Sequence, residues 1–196
     1  MKTKSEQTKE KILEAALHEF SVHGLAGARV DEIAKSADVN KAMIYYHFAS
    51  KEALFNELFQ SEMELLKQEL ASLLQQRDTT SETDMTLAVK ELLNYVADKK
   101  ELLKVLMFET MRQNSHLPYL FQLLDVTTAI GTETAKKSER ALPEEEEPLL
   151  HEFFSGLLPL IYYILLRDNL KDYYGWKDKT MDDRFIAYWL RHHGGY

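Results

Sequence analysis

The chain has 196 residues, 45% hydrophobic and 29% charged, with a net charge of −8 and no cysteine. That composition supplies a core for one or two domains and excludes a disordered chain, a disulfide scaffold and a thiolate metal site. Residues 1–55 hold eight Lys/Arg and eight Asp/Glu, so the whole acidic excess lies beyond them. A nucleic-acid partner needs a local basic face rather than a basic protein, and a neutral head predicts modest non-specific affinity. The first eleven residues are polar, unlike a secretory signal. The longest uninterrupted apolar run, Leu157 to Leu166, is too short to span a bilayer and contains Pro159. A soluble, cytoplasmic protein with no membrane partner is expected.

In chain order, residues 1–7 are polar and read as a frayed end, with Lys2 and Lys4 as a conceivable DNA-touching arm. A helix is predicted from Thr8, its cap, with Ile12, Leu13, Ala16, Leu17 and Phe20 as the buried stripe. Gly24 should end it near His23 as a C′ glycine, and Leu25 to Ala28 should link to a short helix at about Val30 to Ser36. Asp38 can take the left-handed region of a turn, and Asn40 can cap a second short helix, about Lys41 to Phe48.

Ala34, Asp38, Val39 and Ile44 stand at spacings that suit a helix-turn-helix: a small residue at the crossing, a turn residue, and two apolar residues sealing the inner face. Ile44 and Phe48, four apart, turn inward together. Lys41, Ala42, Met43, Tyr45, Tyr46 and His47 are left pointing mostly outward. One lysine, two tyrosines and a histidine on a short exposed helix suit a DNA reader.

Ser50 should cap the next helix, whose apolar residues Ala53, Leu54, Leu58, Met63, Leu66, Leu70 and Leu73 carry it to Gln75 or Gln76, a rod of roughly 38 Å. Arg77 to Glu82 reads as a loop. Helices follow near 84–97, 101–113 and 118–137. Ser138 to Glu147, with Pro143 and the run Glu144 to Glu147, reads as a solvated linker into a helix. Leu149 to about Leu170 is the most apolar helix, broken or kinked near Pro159, and a last helix spans about Thr180 to His192. No stretch alternates as a strand would. The expectation is an all-α protein of about nine helices, divided into a DNA-binding domain at 1–50 and a helical body at 51–196.

Ile33-Ala34, Ala37, Val39 and Ile44-Tyr45-Tyr46-His47-Phe48, followed by Ser50-Lys51-Glu52 and Leu54, resemble the TetR/AcrR-type transcriptional regulators. Ile12, Ala15-Ala16, Phe20 and Gly24 fit the same pattern, so the resemblance covers roughly the first quarter of the chain. It implies that Tyr46, His47 and Lys51 contact phosphates, and that Lys41, Ala42, Met43 and Tyr45 lie nearest the base edges, with Arg29 and Asn40 at the helix starts. Lys41 could donate to guanine, while Ala42 and Met43 could touch thymine methyls. The family usually has Thr or Ser in place of Arg29, which puts that side chain's capping and phosphate contact in question. It usually has Gly in place of Asp38, a sterically conservative departure.

The resemblance also implies a body that encloses a small-molecule pocket and pairs with a second copy. Met107, Phe108, Met111, Phe121, Tyr162 and Tyr163 are pocket candidates, and Glu109, Arg112 and Gln113 could form a polar end or face solvent. Leu157, Leu158, Ile161, Leu165, Phe185, Tyr188, Trp189 and His192 are candidates for a dimer seam. Ordinary core packing is the competing account of both groups. His192-His193 beside Asp182-Asp183, and His151 near Glu147, are the only suggestive metal or catalytic pairings, and neighbouring histidines on a helix point apart. No catalytic motif, cofactor loop or metal spacing is present.

The expected function is a ligand-responsive repressor, not an enzyme and without a cofactor, binding a palindromic double-stranded operator as a homodimer. A DNA-binding organiser or activator without an inducer, and an all-α enzyme, are the alternatives.

Overall fold

The computed structural model describes residues 3–75, 78, 81–111, 119–137, 147–177 and 180–193. Among them there are helices and turns and no strand. In chain order these are α1 (Lys4–Gly27), α2 (Val30–Ser36), α3 (Lys41–His47), α4 (Lys51–Gln75), α5 (Glu82–Ala97), α6 (Lys100–Thr110) and α7 (Tyr119–Lys137). Then follow α8 (Glu147–His151), a π-helical turn (Glu152–Leu157), α9 (Leu158–Tyr174) and α10 (Met181–His193). Because α8, the π turn and α9 run on as one rod, the described residues form nine, as the all-α reading expects.

Two boundaries differ for identifiable reasons. Helix α1 starts four residues before Thr8, because Thr3 and Glu6 form a reciprocal capping box: the Glu6 N–H donates to Thr3 Oγ1 at 3.2 Å and the Thr3 N–H to Glu6 Oε2 at 2.7 Å. At Thr8 the equivalent position is Lys11, which cannot reciprocate, and the Thr8 hydroxyl instead donates to the Lys4 carbonyl within the helix. Nor does α1 stop at Gly24. That glycine breaks the regular helix with φ 65° and ψ 174°, and one further turn follows before the Ala28 N–H closes on the Gly24 carbonyl.

Pro159 does not break its helix. It falls at the start of α9, just after the π turn, where the widened backbone eases the loss of a donor and the bulk of the ring. The uninterrupted rod Glu147–Tyr174 corrects the length expected from the apolar run alone: by length and mean hydropathy it could cross a membrane. Its inward residues Leu157, Ile161, Tyr163 and Ile164 are buried against protein, while about a third of its most apolar stretch is buried in all. Gly175, at φ 63° and ψ 28°, caps α9 in the left-handed conformation.

The linker expected at Ser138 to Glu147 lies outside the described residues, apart from Glu147, which opens α8. Arg112, Gln113 and Lys2 also lie outside them.

Two compact units share the chain. The first comprises Met1–Leu65 and Glu101–Tyr119, the second Leu66–Lys100 and Leu120–Tyr196. In the first unit, Phe20, Phe55, Phe59 and Tyr119 form a continuous ladder of rings with centroids 5.1, 4.6 and 4.9 Å apart. Each such pair adds about 0.5–1.5 kcal/mol beyond area burial. The ladder ties α1 and α4 to the start of α7, and the Tyr119 hydroxyl donates to Asn56 Oδ1 at 3.0 Å.

In the second unit, Tyr163 of α9 stacks on Phe185 of α10 at 3.7 Å, and its hydroxyl donates to Asp182. The Trp189 indole N–H donates to the Gly156 carbonyl at 2.9 Å, and Glu152 pairs with His193 at 3.2 Å in a buried setting. Lys90 on α5 reaches Asp183 on α10 at 2.6 Å.

Candidate nucleic-acid interface

Helices α2 and α3 form the pair that the spacing implies. Ala34, buried at the crossing, offers its carbonyl to the Val39 N–H at 2.9 Å, and Asp38 sits at φ 55° in the turn. Asn40 caps α3 through its side-chain oxygen, which accepts the Met43 N–H at 2.8 Å. Ile33, Ile44 and Phe48 are buried beneath, while Val39 is half-buried. The inner seal fixes the outer face by helical geometry.

On that outer face Lys41, Ala42, Met43, Tyr45 and Tyr46 are exposed, Tyr46 to 79%. His47 is half-buried, with the Tyr46 ring edge-on to it at 5.2 Å. The face thus offers one cation, two phenols, a methyl and a thioether, groups able to meet phosphates and base edges in a major groove.

The charges of the head are largely engaged. Lys41 Nζ lies 2.9 Å from Asp31 Oδ1, and this hydrogen bond, with the charge of Asp31, holds the ammonium above its ordinary range. Lys35 lies 4.0 Å from Glu32, and Lys9 reaches Glu57 at 2.7 Å while its ammonium stands 5.8 Å over the Phe48 ring. Lys51 donates to two backbone carbonyls, Ala28 at 2.9 Å and Ala26 at 3.2 Å. It therefore closes the end of α1, in addition to any phosphate contact. Arg29 is the N-cap of α2 but makes no side-chain cap bond; its own N–H donates to Glu19 at 3.0 Å.

Asp31 and Glu19 drew no notice in the sequence, and Glu109, expected at a polar pocket end or in solvent, instead lies buried beside α1. The Glu109 carboxylate is only 4% exposed and accepts the Leu25 N–H at 2.8 Å. The one available signal was Gly24: a break inside an otherwise helical run leaves an amide in need of an acceptor.

The body candidates separate. Met107 is buried, and Phe108 and Met111 are exposed, all three in the first unit. Phe121 and Tyr162 are exposed and Tyr163 is buried, in the second. None lines the groove of about 470 Å³ in the second unit, formed by Asp125, Thr128, Ala129, Thr132, Glu133, Lys136 and Leu149. Of the seam candidates, Leu157, Ile161 and Trp189 are buried within the second unit, Leu158, Leu165 and Phe185 are half-buried, and Tyr188 and His192 are exposed, their rings stacked at 4.1 Å. Among the described residues, no cluster of His, Asp and Glu could hold a metal ion.

Residues 12–58 match the family described as bacterial regulatory proteins, tetR family. The HTH-type transcriptional repressor SCO4008 of Streptomyces coelicolor is 38% identical over 115 residues, 58% of this chain and 56% of the relative. The HTH-type transcriptional regulator YdgC of Bacillus subtilis is 33% identical over 108 residues, 54% of this chain and 55% of its own. The chain spans about half the length of these curated relatives. In structure it is similar to the transcriptional regulator FadR from Bacillus subtilis, solved with stearoyl-CoA: TM-score 0.69 at 19% identity, over 94% of this chain and 98% of that one.

Proposed function

From the match of residues 12–58 to the tetR family and the likeness to HTH-type repressors, we propose that this chain is a tetR-type regulator: a cytoplasmic, sequence-specific repressor that binds a palindromic operator as a homodimer and releases it when a small molecule binds the body. The observation that carries this reading is the outer face of α3, where Lys41, Ala42, Met43, Tyr45 and Tyr46 are held out by a buried Ile44 and an Asn40 cap. Residues 1–50 are the DNA-reading part and residues 51–196 the effector and pairing part.

Two α3 helices must reach successive major grooves about 34–36 Å apart, which calls for a dimer. The pairing face we propose is the stripe Tyr162, Leu166 and Leu170 on α9, one residue round from the buried Ile161 and Leu157, together with Tyr188 of α10, 62% exposed. Exposed apolar residues four apart on a packed helix form a surface that a second copy can cover.

The effector acts only through its differential affinity for the binding and released states. A long-chain acyl-CoA is a reasonable first probe, because the FadR neighbour was solved with one. The groove described in the second unit presents mostly aliphatic surface, with Asp125, Glu133 and Lys136 as charged groups among its lining.

The test is base preference. On duplexes selected by the wild-type protein, Tyr46→Ala should weaken binding to all sequences alike, whereas Lys41→Ala should also relax discrimination at one base pair of each half-site. Intact discrimination in Lys41→Ala would remove the base-edge role from this helix start.

A further inference from the structure

Between α1 and α2 the chain makes a short, irregular passage. Gly24 has φ 65° and ψ 174°, a combination essentially confined to glycine. One isolated turn, Leu25–Gly27, follows, and Arg29 then opens α2. This passage sets the direction in which α2, and α3 packed on it, leave α1.

Three side chains from three helices hold it. Lys51 at the start of α4 donates to the Ala26 and Ala28 carbonyls. Glu19 on α1 accepts the Arg29 N–H at 3.0 Å. Glu109 on α6 accepts the Leu25 N–H at 2.8 Å. The first two come from the head itself. Glu109 comes from a helix that lies 84 residues further along the chain. It arrives buried, in a site where a hydrogen bond to a charged acceptor gains most and an unmet amide costs most.

The packing around that bond is tight. A Cβ placed on Gly24 would come within 2.6 Å of Phe108 Cε1 and 2.8 Å of Glu109 Oε1. The missing side chain at Gly24 is therefore the space in which α6 seats its Phe108 edge and its Glu109 carboxylate. Gly24 and Glu109 are one joint, made from both sides.

We infer that Glu109 is a positioning residue for DNA reading: by accepting the Leu25 N–H it fixes the exit angle of the α2–α3 pair without itself meeting DNA. The inference rests on the DNA-regulator reading for its consequence and on the joint geometry for its cause. The joint therefore ties α6 to the passage from which α2 and α3 leave α1.

The experiment pairs Glu109→Ala with Glu109→Gln, since the amide oxygen of glutamine can still accept the same N–H. Residue-resolved amide exchange of full-length protein without DNA reads the joint; titration of the duplex selected by wild-type protein reads the consequence. In Glu109→Ala, Leu25 exchange should accelerate about tenfold or more and duplex affinity should fall about tenfold, the loss expected when a charged acceptor is removed from a buried amide. Glu109→Gln should restore most of both.

Unchanged Leu25 exchange in Glu109→Ala would overturn the joint. Faster exchange with wild-type duplex affinity would overturn the positioning role. Glutamine as damaging as alanine would show that charge, not acceptance of the Leu25 N–H, is what matters. If wild-type protein selects no duplex, the DNA-regulator reading fails, and the exchange comparison still decides whether the joint exists.

Discussion

Asp31 Oδ1 and Lys41 Nζ lie 2.9 Å apart, so the one lysine of α3 is already paired to the helix before it. A phosphate or guanine must displace that carboxylate or share the ammonium with it. Asp31→Asn should therefore strengthen binding to any duplex by about threefold to tenfold and steepen the salt dependence by roughly one phosphate contact. Titrations at several salt concentrations measure both. An unchanged slope would mean that Lys41 is not a cation used by DNA.

Lys51 and Tyr46 should behave differently although both are assigned to phosphates. Lys51 serves the Ala26 and Ala28 carbonyls, so Lys51→Met should lower the thermal midpoint as well as DNA affinity. Tyr46, exposed at the end of α3, should lose affinity on substitution by alanine with stability within about 0.5 kcal/mol of wild type. Thermal unfolding beside duplex titration separates the two.

Leu166 faces outward on α9, and Leu166→Glu would set two carboxylates against each other across the proposed pairing face. Sedimentation should then show a monomer, with duplex affinity reduced along with it. A variant that remains dimeric would place the pairing surface elsewhere.

Gly156 is a helical glycine that should not tolerate alanine. In an open helix the change would stabilise by roughly 1 kcal/mol. Here the new Cβ would lie 2.5 Å from His193 Cε1 and 2.9 Å from Glu152 Oε1, and overpacking of that kind costs about 1–3 kcal/mol. The midpoint of thermal unfolding should fall.

Tyr163 should resist ionisation. Burial first, and then the hydrogen bond and charge of Asp182, push its phenol well above the ordinary tyrosine range. Because the folded state holds this proton more tightly than the unfolded chain, the contribution is complete below the unfolded pKa of about 10 and is lost as pH rises above it. Ultraviolet titration of Tyr163→Phe against wild type should show no missing phenolate near pH 11.

The helix-turn-helix was legible in the sequence because local rules govern it. Asn40 caps, Asp38 turns left-handed, and Ala34 lets the helices cross, each within a few residues of its effect. The start of α1 was misplaced at Thr8, although Thr3 and Glu6 stand at the capping-box spacing. What periodicity could not supply was partnership over distance. The bonds from Glu109 to Leu25 and from Lys41 to Asp31 depend on tertiary placement, and apolar spacing on α9 does not distinguish the buried Ile161 from the exposed Tyr162 beside it.

The proposed function turns on sequence-specific binding by a pair of α3 helices. Its most direct measurement is selection of bound duplexes from a random pool by the purified protein. Enrichment of a palindrome whose half-sites are about one helical turn apart is the expected result. No enrichment, at salt low enough to retain weak complexes, would contradict it.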